Sequence, residues 1–368
     1  MLKFGTSGIR DITEKLLENH VAKQIAEKLS DAGWQEVTIG RDGRTGSDKL
    51  LEEFVKNFTG TIHDLGITTT PEIASQNGLA VMITASHNPC QYCGFKIYVN
   101  HFEQSTLDLP LVSNYHKWDL LPKDIVIDCA NGGLGHKLHD LGFTNIVNYE
   151  GEINQGCGAT HPEFLTKYCQ EQKKEIGFAV DGDADRFLMY LHDHVLSSEE
   201  VSIIIANRLN LSKIVVDETI NSGLSKTIKL VRSKVGGQNV IHTMQTSHVN
   251  FGAEKSGHYY FDANLGTSDA IDAIVLVANA YHEIGLIGLQ QILSNYRPYY
   301  QFNCNVKIED LPTNYEEILA NFKMPKGMRK VIRKSGTEPL LRIMLEGKKE
   351  KVVLKVWQDL AAQLNLKN

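Results

Sequence analysis

The sequence lacks any apolar stretch long enough to cross a membrane. A spanning helix takes roughly 18 or more consecutive apolar residues, and the 368-residue chain has no such run. Its first residues also lack the apolar segment of a secretory signal peptide, so we expect a cytoplasmic protein. Basic residues are in no excess, with 38 Lys and Arg against 44 Asp and Glu. Because nucleic acids are bound largely through neutralisation of their phosphates, we expect no nucleic-acid partner.

Cysteine is scarce, and the six residues are scattered. A fold held by disulfides is therefore not expected. Cys90 and Cys93 form the one Cys-x-x-Cys pair, but a tetrahedral zinc site needs further ligands and no second pair follows. We interpret the pair as coincidental, with redox sensitivity as the alternative because it lies close to Ser86. The 14 histidines include no His-x-x-x-His spacing of a helical metal site.

The remaining composition, 42% hydrophobic and 22% charged, is that of an ordinary globular protein. A chain of this length folds as roughly two to four domains. Short β-rich runs alternate with amphipathic helical stretches, which predicts an α/β fold. Shifts in this pattern predict boundaries near 118, 196 and 296, which divide the chain into residues 1–118, 119–195, 196–296 and 297–368.

Hydrophobic periodicity predicts the main elements. Helices are predicted at His20–Leu29, Leu51–Phe58, about 133–141, about Asp269–His282 and about Glu350–Leu364. Strands are predicted at Val37–Gly40, Leu79–Thr84, Ile125–Cys129, Ile146–Tyr149, Ile214–Asp217 and Leu341–Leu345. Ser198 is predicted to cap a further helix, because two acidic residues follow it. Polar loops follow apolar strands in three of the units, and open α/β sheets bind ligands at such strand ends, so we expect these loops to converge on one cleft.

An acidic loop lies between two apolar runs that look like buried strands. It alternates three carboxylates with two small residues: Asp181, Gly182, Asp183, Ala184 and Asp185. Like charges this close repel one another in a partly desolvated loop. A hard dication with oxygen ligands makes such a loop favourable, and Mg²⁺ suits a site that offers few protein ligands. Arg186 adds a cation suited to carboxylate or phosphate. The alternative is a solvated acidic turn, against which the apolar flanks argue.

The loop Thr84–Pro89 follows another predicted buried strand. Ser86 is held there in a constrained turn suited to covalent chemistry. No Gly-x-Ser-x-Gly elbow is present, and His87 is a poor triad base because sequence neighbours seldom bring their side-chain tips together. An unaided hydroxyl is a weak nucleophile, so we interpret Ser86 as the carrier of a phosphate that adds an oxygen ligand to the same metal. A turn capped by polar side chains is the alternative.

Two further segments carry cations. If Phe95 and Ile97 face the core, Lys96 between them points towards the loops, where it is suited to proton transfer. The segment Arg333–Arg342 combines cations and hydroxyls with a glycine that exposes backbone N–H groups, which together suit a phosphate dianion. For each segment the alternative is a solvated surface.

Three weaker signals complete the set. Glu254-Lys-Ser-Gly-His258 places a carboxylate and a hydroxyl two residues apart, where they could hold vicinal hydroxyls of a sugar. Phe4–Arg10 is a loop of glycines and hydroxyls that ends in a cation. Arg41–Arg44 is another basic turn.

Together and in this order, these loops resemble those of the α-D-phosphohexomutase family, from Phe4 to about Gly347. The motifs that carry the resemblance are Thr84-Ala-Ser-His-Asn-Pro89, Asp181-Gly-Asp-Ala-Asp-Arg186, Glu254-Lys-Ser-Gly-His258 and Arg333-Lys-Ser-Gly-Thr-Glu-Pro339. The resemblance implies four domains around a central cleft, namely three related α/β units with mixed sheets and a smaller C-terminal α+β domain. It also implies phosphate transfer between the 1- and 6-hydroxyls of a hexose through a bisphosphorylated sugar.

The resemblance further implies a role for each matching residue. Ser86 would be a phosphoserine that binds one octahedral Mg²⁺ together with Asp181, Asp183 and Asp185. Proton transfer and phosphoryl stabilisation would involve Lys96, Arg10, His87, Arg186 and His258. The sugar's 3- and 4-hydroxyls would be held by Glu254 and Ser256. The phosphate that is not reacting would be held by Arg333, Ser335, Gly336, Thr337 and Arg342. Hexose 1,6-bisphosphate would be the intermediate and activator, in a monomer or homodimer that binds sugar phosphates.

The chain departs from the family pattern in three places. It is short, most visibly between Lys96 and Ile125. Cys93 replaces an asparagine that is usual before the glycine preceding Lys96, and the segment Val235–His242 lacks the usual Gly-Asp-Arg-Tyr-Val type of sequence. The hypothesis is a mutase acting on glucose or mannose phosphates. The alternatives are phosphoglucosamine mutase, a metal-dependent sugar phosphatase and a non-catalytic sugar-phosphate sensor.

Overall fold

The computed structural model describes residues 8–103, 121–261, 266–335 and 339–366. Within these ranges the strands form four sheets, each built from one continuous stretch of the chain. The first three sheets are mixed and the fourth, smallest one is antiparallel, so the predicted α/β class with a smaller C-terminal unit is confirmed. The predicted boundaries near 118, 196 and 296 fall between consecutive sheets. They stay a prediction.

The first unit is a six-stranded sheet with four helices. Its strands are β1 (Ile9–Ile12), β2 (Glu36–Arg41), β3 (Thr61–Ile67), β4 (Leu79–Ile83), β5 (Tyr92–Val99) and β6 (Phe102–Glu103), and its helices are α1 (Thr13–Glu18), α2 (Val21–Asp31), α3 (Ser47–Asn57) and α4 (Thr70–Ala74). β4 is buried along its whole length because it lies between parallel β2 and antiparallel β5. The register pairs Met82 with Lys96, so the lysine lies on the strand beside the one that leads to Ser86.

The second unit is a five-stranded sheet that carries the acidic loop. Its strands are β7 (Val126–Asp128), β8 (Ile146–Val147), β9 (Ile176–Val180), β10 (Phe187–Leu191) and β11 (His194–Val195), and its helices are α5 (Gly133–Asp140) and α6 (Pro162–Glu171). β9 and β10 are antiparallel, with Val180 opposite Phe187 at the start of the loop. The strand predicted to reach Tyr149 ends at Val147, because Asn148 turns to a φ of 52°.

The third unit is a four-stranded sheet with three helices. Its strands are β12 (Lys213–Asp217), β13 (Lys229–Ser233), β14 (Gly252–Ala253) and β15 (Tyr259–Tyr260), and its helices are α7 (Ser198–Arg208), α8 (Gly237–Ser247) and α9 (Ala270–Leu293). The predicted cap at Ser198 is wrong by one residue. Ser197 caps α7, because its Oγ accepts from Glu200 N while the Glu200 carboxylate accepts from Ser197 N at 2.8 Å, a capping box.

Helix α9 runs 11 residues beyond its predicted end at His282, with a kink at Gly285, whose φ is 64°. By length and composition alone it is the one helix of the described residues that could cross a membrane. Its first half, however, is buried in the hydrophobic core that it shares with α7. α9 therefore serves as the core helix of the third unit.

The C-terminal unit is a three-stranded antiparallel sheet with two helices. Its elements are β16 (Tyr300–Lys307), α10 (Tyr315–Asn321), β17 (Arg329–Lys334), β18 (Leu340–Gly347) and α11 (Glu350–Gln363). It is joined to the third unit by buried Glu346, whose carboxylate accepts from Ser222 N at 3.0 Å and from Arg329 at 3.1 Å. Arg329 in turn donates to the main-chain oxygen of Ile220 at 3.0 Å. These contacts hold the two units on either side of a shared cavity.

Candidate active site

The acidic loop has three buried carboxylates, which offer oxygens within 4.8 Å of one another: Asp181, Asp183 and Asp185. Burial and the charges of Asp185 and Asp183 raise the pKa of Asp181 to about 7. Buried like charges repel unless a cation lies among them. The loop is thus suited to holding positive charge, and the alternative of a solvated turn is wrong.

Ser86 lies directly against this loop. It is 1% exposed, and its Oγ donates a hydrogen bond of 2.7 Å to Asp181 Oδ2. Its φ is 54°, a conformation that residues other than glycine seldom adopt. The hydroxyl is directed at the carboxylate, while the Nδ1 atom of His87 lies 3.5 Å away. The structure therefore brings the predicted phosphate carrier and the predicted metal ligands together.

Lys96 contacts the other two carboxylates. Its Nζ donates to Asp183 Oδ2 at 2.6 Å and to Asp185 Oδ2 at 2.5 Å. Lys96 is 1% exposed, so the alternative of a surface lysine is wrong. Burial disfavours charge on Asp185, but Lys96 and His258 outweigh it and hold the pKa of that carboxyl well below its usual range.

Arg186 and His87 form a pair at the edge of the loop. Arg186 Nε lies 3.2 Å from Asp181 Oδ2, and its Nη2 donates to His87 Nδ1 at 2.8 Å. Burial, together with the charges of Arg186 and Arg10, lowers the pKa of His87 to about 3. His87 is therefore a neutral acceptor near pH 7 and holds a guanidinium in place. Arg10 lies on β1 opposite Gly94, and its buried Nε has no hydrogen-bond partner among the residues described.

The segment Glu254–His258 joins β14 to β15 and lies beside the acidic loop. An isolated antiparallel bridge pairs Arg186 with His258. His258 Nε2 lies 3.2 Å from Asp185 Oδ1, and its Nδ1 is hydrogen-bonded to Ser256 Oγ at 2.7 Å. The third unit therefore meets the acidic loop directly, as the predicted convergence of loops requires.

A cavity of about 340 Å³ lies between the third and C-terminal units. Its polar lining comprises Asp217, Thr219, Glu254, Lys255, Ser256, Asn303, Asn305, Arg333 and Arg342. Glu254 is fixed at its wall, since Oε1 accepts from Gly236 N at 2.9 Å and Oε2 accepts from Tyr260 OH at 2.8 Å. Asp217, Thr219 and the two asparagines were not predicted, because no motif marks them.

The two arginines of this cavity are side by side. Arg333 on β17 pairs directly with Arg342 on β18, and Arg342 Nη2 donates to Ser335 Oγ at 3.3 Å. Burial and the charge of Arg342 lower the pKa of Arg333. Adjacent guanidinium groups repel one another, so this wall of the cavity favours an anion. Gly336 and Thr337 lie outside the described residues.

A buried ion pair beneath the Ser86 loop has a different role from the one predicted for its segment. Asp42 and Arg44 lie 2.9 Å apart and are almost completely buried, although Arg41–Arg44 was interpreted as a basic turn. Arg44 Nη2 donates to the main-chain oxygen of Ser86 at 2.8 Å, and Thr84 Oγ1 donates to Asp42 Oδ2 at 2.6 Å. The sequence signal for this ion pair was an Asp-x-Arg sequence directly after a strand.

Thr70 is a further residue of the site that was not predicted. Its hydroxyl donates to Asp183 Oδ2, and its main-chain N donates to Asp183 O at 2.8 Å. The available signal was a run of three threonines before Pro71, because a proline in the first turn marks the start of a helix. Thr70 thus fixes one of the three carboxylates from the first unit.

The acidic loop fits a divalent cation by its chemistry. All three side chains offer carboxylate oxygens, which Mg²⁺ prefers. Asp183 Oδ1 is buried and has no hydrogen-bond partner in the part of the chain that the structure describes. An unsatisfied buried carboxylate oxygen is costly, and a bound cation relieves that cost. No second cluster of three such ligands occurs within residues 8–103, 121–261, 266–335 and 339–366.

The chain matches three family models over most of its length. Residues 1–107 match phosphoglucomutase/phosphomannomutase alpha/beta/alpha domain I, residues 183–299 match domain III, and residues 304–363 match the C-terminal domain. The first and last of these ranges each match one unit described above, whereas residues 183–299 cover the third unit and also include β10 and β11 of the second.

Curated relatives and solved structures match nearly the whole chain. The phosphoglucosamine mutase of Dictyoglomus thermophilum is 28% identical, with 94% of this chain and 91% of that protein covered. That of Desulforamulus reducens is 30% identical, over 94% and 95%. A phosphoglucomutase/phosphomannomutase family protein from Burkholderia thailandensis has a TM-score of 0.76 at 18% identity, over 98% and 97%. Aspergillus fumigatus N-acetylphosphoglucosamine mutase, in complex with GlcNAc-6P and magnesium, has a TM-score of 0.65 at 14% identity, over 98% and 95%.

Proposed function

Because the chain belongs to the α-D-phosphohexomutase superfamily, we propose that it interconverts hexose 1-phosphate and hexose 6-phosphate through a phosphate carried on Ser86. The observation that supports this most directly is the 2.7 Å hydrogen bond from Ser86 Oγ to Asp181. In the proposed cycle, phosphoserine gives its phosphoryl group to the free hydroxyl of the sugar phosphate. The bisphosphate then turns round, and Ser86 takes the other phosphoryl group.

The residues divide this work by position. One Mg²⁺, held by Ser86, Asp181, Asp183 and Asp185, would withdraw charge from the transferring phosphoryl oxygens. We assign Lys96 to the proton of the attacking hydroxyl, and Arg10 and Arg186 to the phosphoryl oxygens. His87 holds Arg186, and His258 holds Asp185 and Ser256.

The shared cavity would bind the part of the substrate that does not react. We assign Arg333, Ser335 and Arg342 to the remote phosphate, and Glu254 and Ser256 to the sugar hydroxyls. Binding the remote phosphate supplies energy that orients the reacting end, so these contacts favour transfer as well as affinity.

We propose glucosamine phosphate as the first substrate to test. Support comes from the curated relatives reported above, which are phosphoglucosamine mutases that align with 94% of this chain. The Aspergillus protein, crystallised with GlcNAc-6P and magnesium, also supports an amino-sugar phosphate and Mg²⁺. Glucose or mannose phosphate is the second candidate, favoured by the sequence motifs and by the names of the matching family models.

The test is a parallel assay of glucosamine, glucose and mannose 1-phosphates with Mg²⁺ and a trace of the matching 1,6-bisphosphate. We expect the corresponding 6-phosphates as products, with the highest kcat/KM for glucosamine 1-phosphate. A higher kcat/KM for glucose or mannose would reverse the order of the candidates. Release of free phosphate without isomer formation would instead indicate a phosphatase, and binding without turnover a sensor.

Ser86→Ala tests the carrier itself. The variant is expected to lose turnover while binding the sugar phosphate with unchanged affinity by calorimetry, because the hydroxyl that accepts the phosphoryl group is gone. Ser75→Ala is the matched control, since Ser75 is buried in the same unit and donates to Glu72 O away from the acidic loop. Turnover of Ser86→Ala at the wild-type rate would contradict a covalent carrier.

A further inference from the structure

The main-chain oxygen of Ser86 accepts hydrogen bonds from two units of the fold. Arg44 Nη2 in the first unit donates to it at 2.8 Å, and Asn154 Nδ2 in the second unit donates at 2.7 Å. The bond from Asn154 spans 68 residues of sequence and is buried. A carbonyl held by two donors cannot turn without losing both bonds.

This carbonyl belongs to a residue in a costly conformation. A non-glycine residue with a φ such as the 54° of Ser86 is strained and persists only where its surroundings fix it. Rotation of Ser86 to ordinary backbone would withdraw its oxygen from both donors and turn its Oγ away from Asp181. The two bonds therefore hold the turn that directs the hydroxyl.

The two donors differ in what they connect. Arg44 is immobilised within the first unit, because its Nε is bonded to Asp42 at 2.9 Å and its Nη1 to Tyr92 O at 2.6 Å. Asn154 instead connects the Ser86 loop to the unit that carries the acidic loop. Its loss would leave the Ser86 carbonyl fixed from one side only.

Asn154 also lies next to the acidic loop. A Cβ atom at Gly182 would approach Asn154 Nδ2 to 3.2 Å, so the amide occupies the space between the two loops. Asn154 is 5% exposed, has a φ of 59°, which asparagine tolerates, and donates its main-chain N to Ala130 O at 2.9 Å. The amide is therefore fixed at the junction of the two loops.

We propose that Asn154 is a positioning residue that holds Ser86 in register with Asp181, and so makes phosphoryl transfer depend on the docking of the second unit against the first. The inference rests on the proposed function, because it takes Ser86 to carry the phosphate. Asn154 does not touch the cavity that binds the remote phosphate. Its loss should therefore slow transfer and leave substrate binding unchanged.

Asn154→Asp is the sharpest test. Aspartate keeps the size of the side chain and tolerates the same φ, but it places a carboxylate against the carbonyl in place of an N–H donor. We expect kcat to fall on the order of 100-fold, the effect of a misplacement of about 1 Å, while KM for the hexose 1-phosphate stays within about threefold. Uptake of phosphate by Ser86 from hexose 1,6-bisphosphate, followed by rapid quench and intact-protein mass spectrometry, should slow by the same factor.

Asn154→Gly and Asn148→Gly form the matched pair. Both positions have a positive φ, 59° and 52°. The Asn154 amide donates to the main-chain oxygens of Ser86 at 2.7 Å and Asn88 at 3.4 Å, whereas the Asn148 amide donates to Asp128 at 3.0 Å. We expect both variants to lose similar thermal stability and only Asn154→Gly to lose kcat. If Asn154→Asp does not fold, Asn154→Gly decides.

The outcomes separate this inference from the proposed function. Wild-type transfer rates in the Asn154 variants, or a raised KM with unchanged kcat, would overturn the positioning role alone. Equal losses of kcat in Asn154→Gly and Asn148→Gly would also overturn it, because the effect would then be one of stability. A wild-type protein that takes up no phosphate on Ser86 would overturn the proposed function and this inference together.

Discussion

The Lys96 ammonium lies 2.6 Å from a carboxylate oxygen of Asp183, and both side chains are almost completely buried. The same ammonium reaches Asp185 at 2.5 Å. The Lys96 ammonium of the first unit thus balances part of the charge on the acidic loop of the second. A metal ion at this loop would share its ligands with Lys96, and this relationship can be measured.

Replacing Lys96 by methionine should make stability depend on metal. Removal of one partner of a buried ion pair costs about 3–5 kcal/mol, since the remaining charge is left uncompensated. We expect Lys96→Met to unfold at a lower temperature than the wild type in EDTA, and Mg²⁺ to recover more stability in the variant than in the wild type. Lys137→Met is the control, because Lys137 pairs with Glu72 near the surface. An equal response to Mg²⁺ in all three proteins would argue against the shared site.

Removal of metal should abolish turnover. We expect EDTA to reduce isomer formation by the wild type to background and Mg²⁺ to restore it, because a dication offsets the repulsion among three buried carboxylates. Asp183→Asn should raise the Mg²⁺ concentration needed for half-maximal activity, as measured by titration. Full activity in EDTA, with metal content checked by mass spectrometry, would exclude a metal-dependent reaction.

The cavity arginines should act on substrate binding. Arg342→Ala would remove the charge-assisted contact that we propose with the remote phosphate, and such hydrogen bonds are worth about 1.5–3 kcal/mol. We expect kcat/KM to fall roughly 10- to 150-fold, with an increase in KM measured by initial rates. Lys334→Ala is the control, since Lys334 lies on the same strand as Arg333 but pairs with Glu316 on the surface. A similar loss in both variants would place the remote phosphate elsewhere.

Glu346→Gln should weaken the junction between the third and C-terminal units in a pH-dependent way. Burial disfavours charge on Glu346, but hydrogen bonds from Arg329 and Ser222 outweigh it and lower the pKa of its carboxyl below 4.5. A depressed pKa stabilises the folded protein above the unfolded value, and this contribution is lost as the pH falls through the folded value. The wild type should be more stable than Glu346→Gln in urea unfolding. This difference in unfolding free energy should have its maximum value at pH 7 and decrease below about pH 4.5.

The surface carboxylate Glu316 supplies the control for this prediction. It pairs with exposed Lys334, and both side chains are more than half exposed to solvent. Solvent-exposed ion pairs contribute little to stability, so Glu316→Gln should leave the free energy of urea unfolding nearly unchanged at both pH values. An equal loss in both variants at pH 7 would show that the Glu346 contacts do not join the two units.

The site was predictable where chemistry is concentrated in a short segment. Asp181–Arg186 and Thr84–Pro89 are recognisable from the sequence alone. Clustered like charges, or a hydroxyl in a constrained turn, at the end of a buried strand indicate a functional site. The strands before these loops were predictable because β4 and β9 are short, continuous apolar runs. Roles assigned to single side chains stay predictions.

The supports of the site were not predictable, because each depends on contacts between distant parts of the chain. Asn154 meets Ser86 across 68 residues and Thr70 meets Asp183 across 113. Asn154 lies in a segment of ordinary composition, and the three threonines before Pro71 indicate the start of a helix but not a contact with Asp183. Arg44 was visible as a cation, but only the packed fold shows that it is buried against Asp42 and faces a main-chain oxygen.

With the role proposed for Ser86, its left-handed backbone sets selection for stability against selection for activity at one position. Glycine and asparagine adopt that conformation at lower cost than serine does. Selection for thermal stability alone therefore favours residues that adopt this backbone conformation at lower cost, and those residues carry no hydroxyl. Natural variants of this chain that have lost turnover but survive as folded proteins should be sought first at residue 86.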